Sequence, residues 1–171
     1  MNQRKSSFPP QVAPDCRVLI LGSLPGERSL AERQYYAHPQ NRFWHLLGLV
    51  LQRDLVSLDY EQRLAILQEH RIGLWDVVAS ARREGSLDAS IRDAEQNALA
   101  ELVAELPDLK AVAFNGRTAE KIGRAQLADS AIAQIGLPSS SPAYAAMPLA
   151  EKEKRWLRLR DFLETPRGKA H

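Results

Sequence analysis

The sequence predicts one α/β domain with helices packed on both faces of a sheet, and three observations carry that prediction. Short β-branched and leucine-rich runs, at residues 17–22 and 110–114, end on glycine or asparagine as buried strands do. Stretches with apolar residues at helical spacing separate them, so the strands pair in parallel through right-handed crossovers. Long turn-rich loops follow the strands. At 171 residues the chain has room for a single domain and one site.

The elements follow in order. Residues 1–16 contain Pro9, Pro10 and Pro14 and read as a flexible, unstructured arm. Residues 17–22 are apolar on both faces and form the first strand. Residues 23–41 are a long loop, with one helical turn at 29–33. Phe43, Leu46, Leu47 and Val50 mark one face of a helix over 42–51, and Leu64 and Leu67 repeat the pattern over 60–70. Residues 72–79 are apolar except for Asp76, and residues 85–88 are turn-like. Leu99, Leu102, Val103 and Leu106 predict an amphipathic helix over 94–105, broken at Pro107. A second strand covers 110–114, a helix begins at 118–123, and a third, weaker strand covers 131–137. Trp156, Leu159, Phe162 and Leu163 place a last helix over 151–163, ahead of a tail at 164–171. The domain therefore spans residues 17–163.

Composition removes several classes. A hydrophobic share of 44% against 26% charged residues excludes a disordered chain. The one cysteine, Cys16, excludes a disulfide scaffold and reads as an inert buried thiol. A net charge of +2 and a pI near 8.8 permit a nucleic-acid partner without requiring one. No apolar run reaches membrane-spanning length, and residues 1–15 lack the hydrophobic core of a secretory signal, so a cytoplasmic location without membrane contact is expected. His38 and His45 straddle a loop-to-helix boundary with no second cluster of ligands, so neither a metal nor a cofactor is expected.

An open parallel sheet places its site beyond the carboxyl ends of its strands. Residues 22–41, 115–116 and 137–143 occupy such positions. The first loop, Gly22-Ser-Leu-Pro-Gly26, lets backbone approach a ligand, yet matches neither a P-loop nor a dinucleotide fingerprint. In Tyr35-Tyr-Ala-His-Pro-Gln-Asn-Arg-Phe-Trp44, the residues Phe43 and Trp44 belong to the core, whereas Tyr36 and Asn41 have no core role. Ser139, Ser140 and Ser141 lack a nucleophile elbow. They either offer donors to phosphate or form a proline-framed surface loop. Asn115-Gly116 is either a turn or a displayed carboxamide. Asp76 is an N-cap or an orienting carboxylate, and the pair Arg82 and Arg83 is a solvated surface feature or a source of positive charge.

Taken in order, the first two segments with Gly73-Leu-Trp-Asp-Val77, Arg83-Glu-Gly-Ser-Leu-Asp88, Phe114-Asn-Gly116 and Leu137-Pro-Ser-Ser-Ser-Pro-Ala143 resemble the uracil-DNA glycosylase superfamily. The resemblance is closest to its hypoxanthine-DNA (deoxyinosine) glycosylase branch. The mismatch-specific uracil/thymine glycosylases, which share the Ala-His-Pro…Asn-Arg-Phe-Trp part, are the nearest rival. The likeness implies a three-layer α/β/α sandwich around a central, mainly parallel four-stranded sheet. It also implies an enzyme that flips a deaminated base out of DNA and cuts its N-glycosidic bond; no lysine stands out as a Schiff-base nucleophile, so a monofunctional enzyme is expected, acting as a monomer. The resemblance places Tyr36 over the flipped base, gives Asn115 the reading of the base edge, and makes Gly22, Ser23 and Leu24 part of the base-binding loop. Members that excise uracil carry Asp or Asn where this chain has Leu24, and His or Asn where it has Leu137. The hypoxanthine branch moves the water-positioning task to Asn41. Ser139, Ser140, Ser141, Arg42 and Tyr144 are then the expected DNA contacts, with Tyr144 or Met147 as the wedge. Two other readings stand beside this one: a damage-binding protein of little activity, motivated by Leu24 and Leu137, and an unrelated small-molecule α/β enzyme.

Overall fold

The structure, a computed structural model, describes residues 4–142, 144 and 146–163. The expected tail at 164–171 lies outside these residues. Four parallel strands form the central sheet in the order β3-β2-β6-β7, with β2 at Val18–Gly22, β3 at Ile72–Asp76, β6 at Ala111–Asn115 and β7 at Ala133–Leu137. Every residue of β2 and β6 is buried, because both faces are covered. Val18, Ile20, Ala111 and Ala113 face one apolar layer with Phe43, Leu46, Leu47 and Trp156. Leu19, Leu21, Val112 and Phe114 face the other, with Leu99, Leu102 and Ala119. The two-residue period of a strand thus divides one continuous apolar run between two cores.

Helices α2 (Phe43–Leu51), α3 (Tyr60–Glu69) and α6 (Leu149–Trp156) cover the first face, and α4 (Leu99–Ala104) and α5 (Arg117–Gln126) cover the second. Asp59 and Gln62 form a capping box that starts α3. The short α1 (Glu27–Glu32) replaces the single turn expected at 29–33. Among the described residues no helix is long and apolar enough to cross a membrane.

Three expectations are corrected. Residues 4–16 are not a loose arm: β1 (Arg4–Ser6) pairs antiparallel with β4 (Val78–Arg82), and Gln11 bridges Leu74. The prolines lack N–H groups, but Ser7 N–H donates to the Ala79 carbonyl at 2.8 Å and Gln11 exchanges both bonds with Leu74. The helix expected over 94–105 is divided. Arg92–Gln96 is an exposed edge strand, β5, on β4, and only residues 99–104 are helical. Asn97 makes the break, donating from its backbone to the Val77 carbonyl and from Nδ2 to the Asp76 carbonyl at 2.7 Å. The last helix starts earlier than expected, at Leu149, and tightens to 3₁₀ geometry over Leu157–Phe162.

Candidate active site

Gly22, Asp76, Asn115 and Leu137 are the last residues of the four central strands, and all four line one cleft of about 610 Å³. The cleft is where three chain segments meet, and Ser140 joins them. Its Oγ accepts from Asn115 Nδ2 and its backbone N–H donates to Asn115 Oδ1, both at 2.9 Å. Its carbonyl accepts the Arg42 N–H at 2.9 Å. Ser140 is therefore 1% exposed and turned inward, holding the loops together at the position expected to touch DNA. The Trp156 indole N–H donates to the Pro138 carbonyl at 2.9 Å and anchors the same loop from below.

Tyr36 has a left-handed backbone, φ 56°. Its carbonyl accepts from the Trp44 indole, and the next N–H donates to Ser29 Oγ at 3.0 Å, which together hold that conformation. The ring stacks on Phe43 with centroids 3.7 Å apart and planes 7° from parallel. Phe43 is fully buried, so the Tyr36 ring lines the cleft as an aromatic surface backed by core. Its hydroxyl is buried beside the Asn115 amide. Burial, reinforced by the Asp76 carboxyl, pushes the phenol well above its ordinary range.

Asn41 lies half-buried on the cleft wall. Its Oδ1 accepts the Phe43 N–H at 2.9 Å, which fixes the amide at the start of α2. Arg42 is exposed beside it, and Ser139, Ser141, Tyr144 and Met147 edge the same cleft. Ser139 Oγ accepts the Ser141 N–H. Lys152, a residue the sequence reading passed over, donates to the Tyr144 carbonyl at 2.8 Å and sits over its ring at 5.1 Å. Leu24 buries its side chain in the second core, while Gly22 and Ser23 pass their carbonyls to Val77 and Val78 N–H.

The chain matches the family model described as the uracil DNA glycosylase superfamily over residues 9–162. The chain belongs to the uracil DNA glycosylase superfamily. It is similar to the hypoxanthine DNA glycosylase of Methanosarcina barkeri, 46% identical over 114 residues, which is 67% of this chain and 72% of the relative. The protein of the same name from Methanosarcina acetivorans is 43% identical over 115 residues, covering 67% and 73%. Among solved structures, the solution NMR structure of a Methanosarcina acetivorans protein provisionally assigned as a uracil DNA glycosylase superposes with a TM-score of 0.84. That match has 37% identity and covers 94% of this chain and 99% of the other. The expected family and three-layer fold hold, and the chain is a DNA glycosylase-type enzyme.

For two side chains of this superfamily member the structure removes one of the alternatives the sequence left open. Asp76 caps no helix: it ends β3 as a buried residue, 3% exposed, and Oδ2 has no hydrogen-bond partner. Burial and the nearby Asp88 push its pKa up to about 7, against the opposing pull of Arg83. Arg83 is not on the surface but 2% exposed, since its guanidinium is directed inward. It donates to the carbonyls of Leu24 at 3.2 Å, Pro25 at 2.5 Å and Gly85 at 2.9 Å, tying the glycine loop to residues 83–88. Asp88, on that loop, accepts from Ser23 Oγ at 2.6 Å. The signals differed: Asp76 is a lone charge in an otherwise apolar stretch, and Arg83 is the second of an arginine pair. Cys16 is buried, and its thiol is pushed up to about 11, as an inert core thiol requires.

Proposed function

We propose that this enzyme removes deaminated bases from DNA, hypoxanthine foremost, by hydrolysing the N-glycosidic bond and leaving an abasic site. The observation that carries the reading is the cleft itself. It has an aromatic wall braced by Phe43, a half-buried amide at Asn41, and leucine at the loop position where the uracil-excising members carry an acid or amide. The names of the two Methanosarcina relatives point to the same base.

In this reading the flipped nucleotide stacks on Tyr36, a contact worth about 1–3 kcal/mol that offsets the cost of leaving the duplex. The bond between the sugar C1′ and the base nitrogen breaks, and its electron pair leaves on the base. Water adds to C1′ and its proton ends on the base. Asn41 positions that water. Its Oδ1 already accepts one hydrogen bond, so Nδ2 and the remaining lone pair are the groups that hold the water. An amide is no general base, so the rate comes from orientation and from the developing charge on the base. Asn115 keeps one amide hydrogen and one lone pair beyond its two bonds to Ser140, and these face the base edge. Ser139, Ser141, Arg42 and Tyr144 contact the flanking DNA. The enzyme works as a cytoplasmic monomer without metal or cofactor.

Incubation with otherwise identical duplexes carrying inosine, uracil or a G·T mismatch, followed by alkaline cleavage of abasic sites, tests the proposal. Inosine strands are cut fastest, and Asn41→Ala loses most of that rate. Binding without cleavage of any duplex supports a damage-binding protein instead, and preferential cutting at G·U supports a mismatch uracil glycosylase.

A further inference from the structure

The cleft has two rims of different character. Residues 138–141 form one, on the β6–β7 side, where Ser140 is bonded to Asn115 and accepts the Arg42 N–H. Residues 85–88 form the other, on the β2–β3 side, where Asp88 accepts from Ser23 Oγ and Ser86 lies against Gly26. The first rim carries serines and the exposed Arg42. The second carries the acids Glu84 and Asp88, and the cations around it are engaged elsewhere. Arg83 donates to backbone carbonyls, Lys5 pairs with Glu27, and Arg28 pairs with Glu32. Between the two acids stands Leu87, 54% exposed. Among the described residues it is the most exposed large apolar side chain on the cleft wall, and it belongs to neither apolar layer.

The loop around Leu87 is tied down. The Gly85 carbonyl accepts from Arg83 Nε at 2.9 Å and from Lys5 Nζ at 2.8 Å. Ser86 Oγ accepts the Glu27 N–H at 2.9 Å, and the Leu87 carbonyl accepts the Ser90 N–H at 3.0 Å across a 3₁₀ turn at Asp88–Ser90. These bonds reach β1, α1 and the glycine loop, so the tip is fixed from three directions. A fixed apolar tip loses little conformational freedom when a partner covers it. A lone surface leucine is ordinary, but this one is displayed by a braced loop at the mouth of a cleft. Its acidic neighbours repel phosphate. The apolar surface of DNA is the faces of its bases, which a duplex opens only where a nucleotide has left the stack.

We propose that Leu87 is a duplex-specific DNA contact: when the damaged nucleotide turns into the cleft, the leucine packs on the base face that its departure exposes. This rests on the glycosylase reading above. The contact exists only in the flipped state, so it lowers the cost of flipping instead of tightening every complex alike. The two rims then have separate tasks, phosphate on the serine side and base surface on the Leu87 side. Tyr144 and Met147, the residues expected to act as the wedge, are only half-exposed, and Tyr144 is held by Lys152 through its carbonyl and its ring. A single strand has no paired stack to reopen, so Leu87 contributes little there.

Leu87→Ala removes the apolar tip and keeps the loop bonds, which are made by backbone and by other side chains. The test is kcat/KM for the wild-type enzyme, L87A and L87M on one inosine oligonucleotide, as a duplex and as a single strand, with melting temperatures to establish folding. The expected result is L87A about 10-fold lower on the duplex and within about twofold of the wild type on the single strand, with L87M close to the wild type on both. A tenfold loss is about 1.4 kcal/mol, on the order of burying half a leucine side chain. Where only the duplex is cut, 2-aminopurine placed beside the inosine gives the second reading: its fluorescence rises as the stack opens, and rises less with L87A. L87A cutting the duplex as fast as the wild type, losing equally on both substrates, or giving the same fluorescence rise overturns the assignment of Leu87 and leaves the glycosylase reading intact. So does an enzyme that cuts only the single strand. A wild-type enzyme that cuts neither lesion substrate overturns both.

Discussion

Replacing Arg83 with methionine separates the support of the glycine loop from its chemistry. Methionine keeps most of the aliphatic volume, so little cavity forms, but three donors and a charge disappear. The Gly85 carbonyl also accepts from Lys5 Nζ at 2.8 Å and stays paired. The Leu24 and Pro25 carbonyls accept from Arg83 inside the protein and are left without that donor. At about 1–3 kcal/mol for each buried carbonyl, and with the desolvation of a buried cation recovered, the net loss is about 2–4 kcal/mol. For a domain of this size that is a fall of roughly 4–16 °C in melting temperature. Scanning calorimetry of Arg83→Met against the wild-type enzyme reads it directly. The variant also removes the cation that pulls the Asp76 pKa down, so that carboxyl titrates at a higher pH. Arg83→Lys keeps a charge but cannot span two carbonyls, and falls between the two. An Arg83→Met protein that melts within about 1 °C of the wild type refutes the argument that Arg83 holds this loop.

Three further expectations follow the same geometry. Ser140→Ala strips the partner from Asn115 Nδ2 and costs about 1–3 kcal/mol in chemical denaturation, with a lower kcat/KM because the carboxamide is no longer held in place. Gly123→Ala, in the interior of α5, ordinarily gains about 1 kcal/mol of helix propensity, but the new Cβ would lie 2.1 Å from Phe114 Cε1 in the second core. Overpacking wins, and the variant loses about 1–3 kcal/mol in the same assay. For Asp76 the native pKa near 7 lies above the ordinary 3.8, so the folded state binds more protons than the unfolded one between those values and stability falls as pH rises through them. Asp76→Asn abolishes that fall, and its melting temperature exceeds the wild type's at pH 8 by more than at pH 4.

The two inner strands of the central sheet were legible because they obey one rule. A strand buried on both faces needs no polar position, and residues 18–22 and 111–114 contain none apart from glycine's bare backbone. Edge elements obey no such rule. Arg92–Gln96 is exposed at every position and holds its place by backbone bonds to Val78–Arg82. Its side chains carry no strand signal, and the apolar spacing of the residues after it extended the helix backwards. The arm failed similarly: prolines argue against a helix, but an extended chain on an edge needs only the N–H groups between them, such as those of Ser7 and Gln11.

In the site, the residues that announced themselves were those whose type clashes with their surroundings, such as the tyrosines ahead of a helix and the serines between prolines. Type alone does not give direction. Three adjacent serines look alike in sequence, yet Ser140 points into the protein because Asn115 offers both a donor and an acceptor at the spacing of its hydroxyl and N–H. Asp76 shows the same limit from the other side. A single carboxyl in an apolar strand suggests a cap or an orienting carboxylate, and only the parallel register, which sets Gly22 against Asp76, shows that it ends beside a missing Cβ. The glycine is what leaves room for the carboxyl: a Cβ at position 22 would lie 2.7 Å from Asp76 Oδ1 and 2.9 Å from the Tyr36 hydroxyl. The glycine of the first loop and the aspartate of the third strand therefore form one feature, and Gly22→Ala tests it: the added Cβ collides with both buried polar groups and lowers the melting temperature.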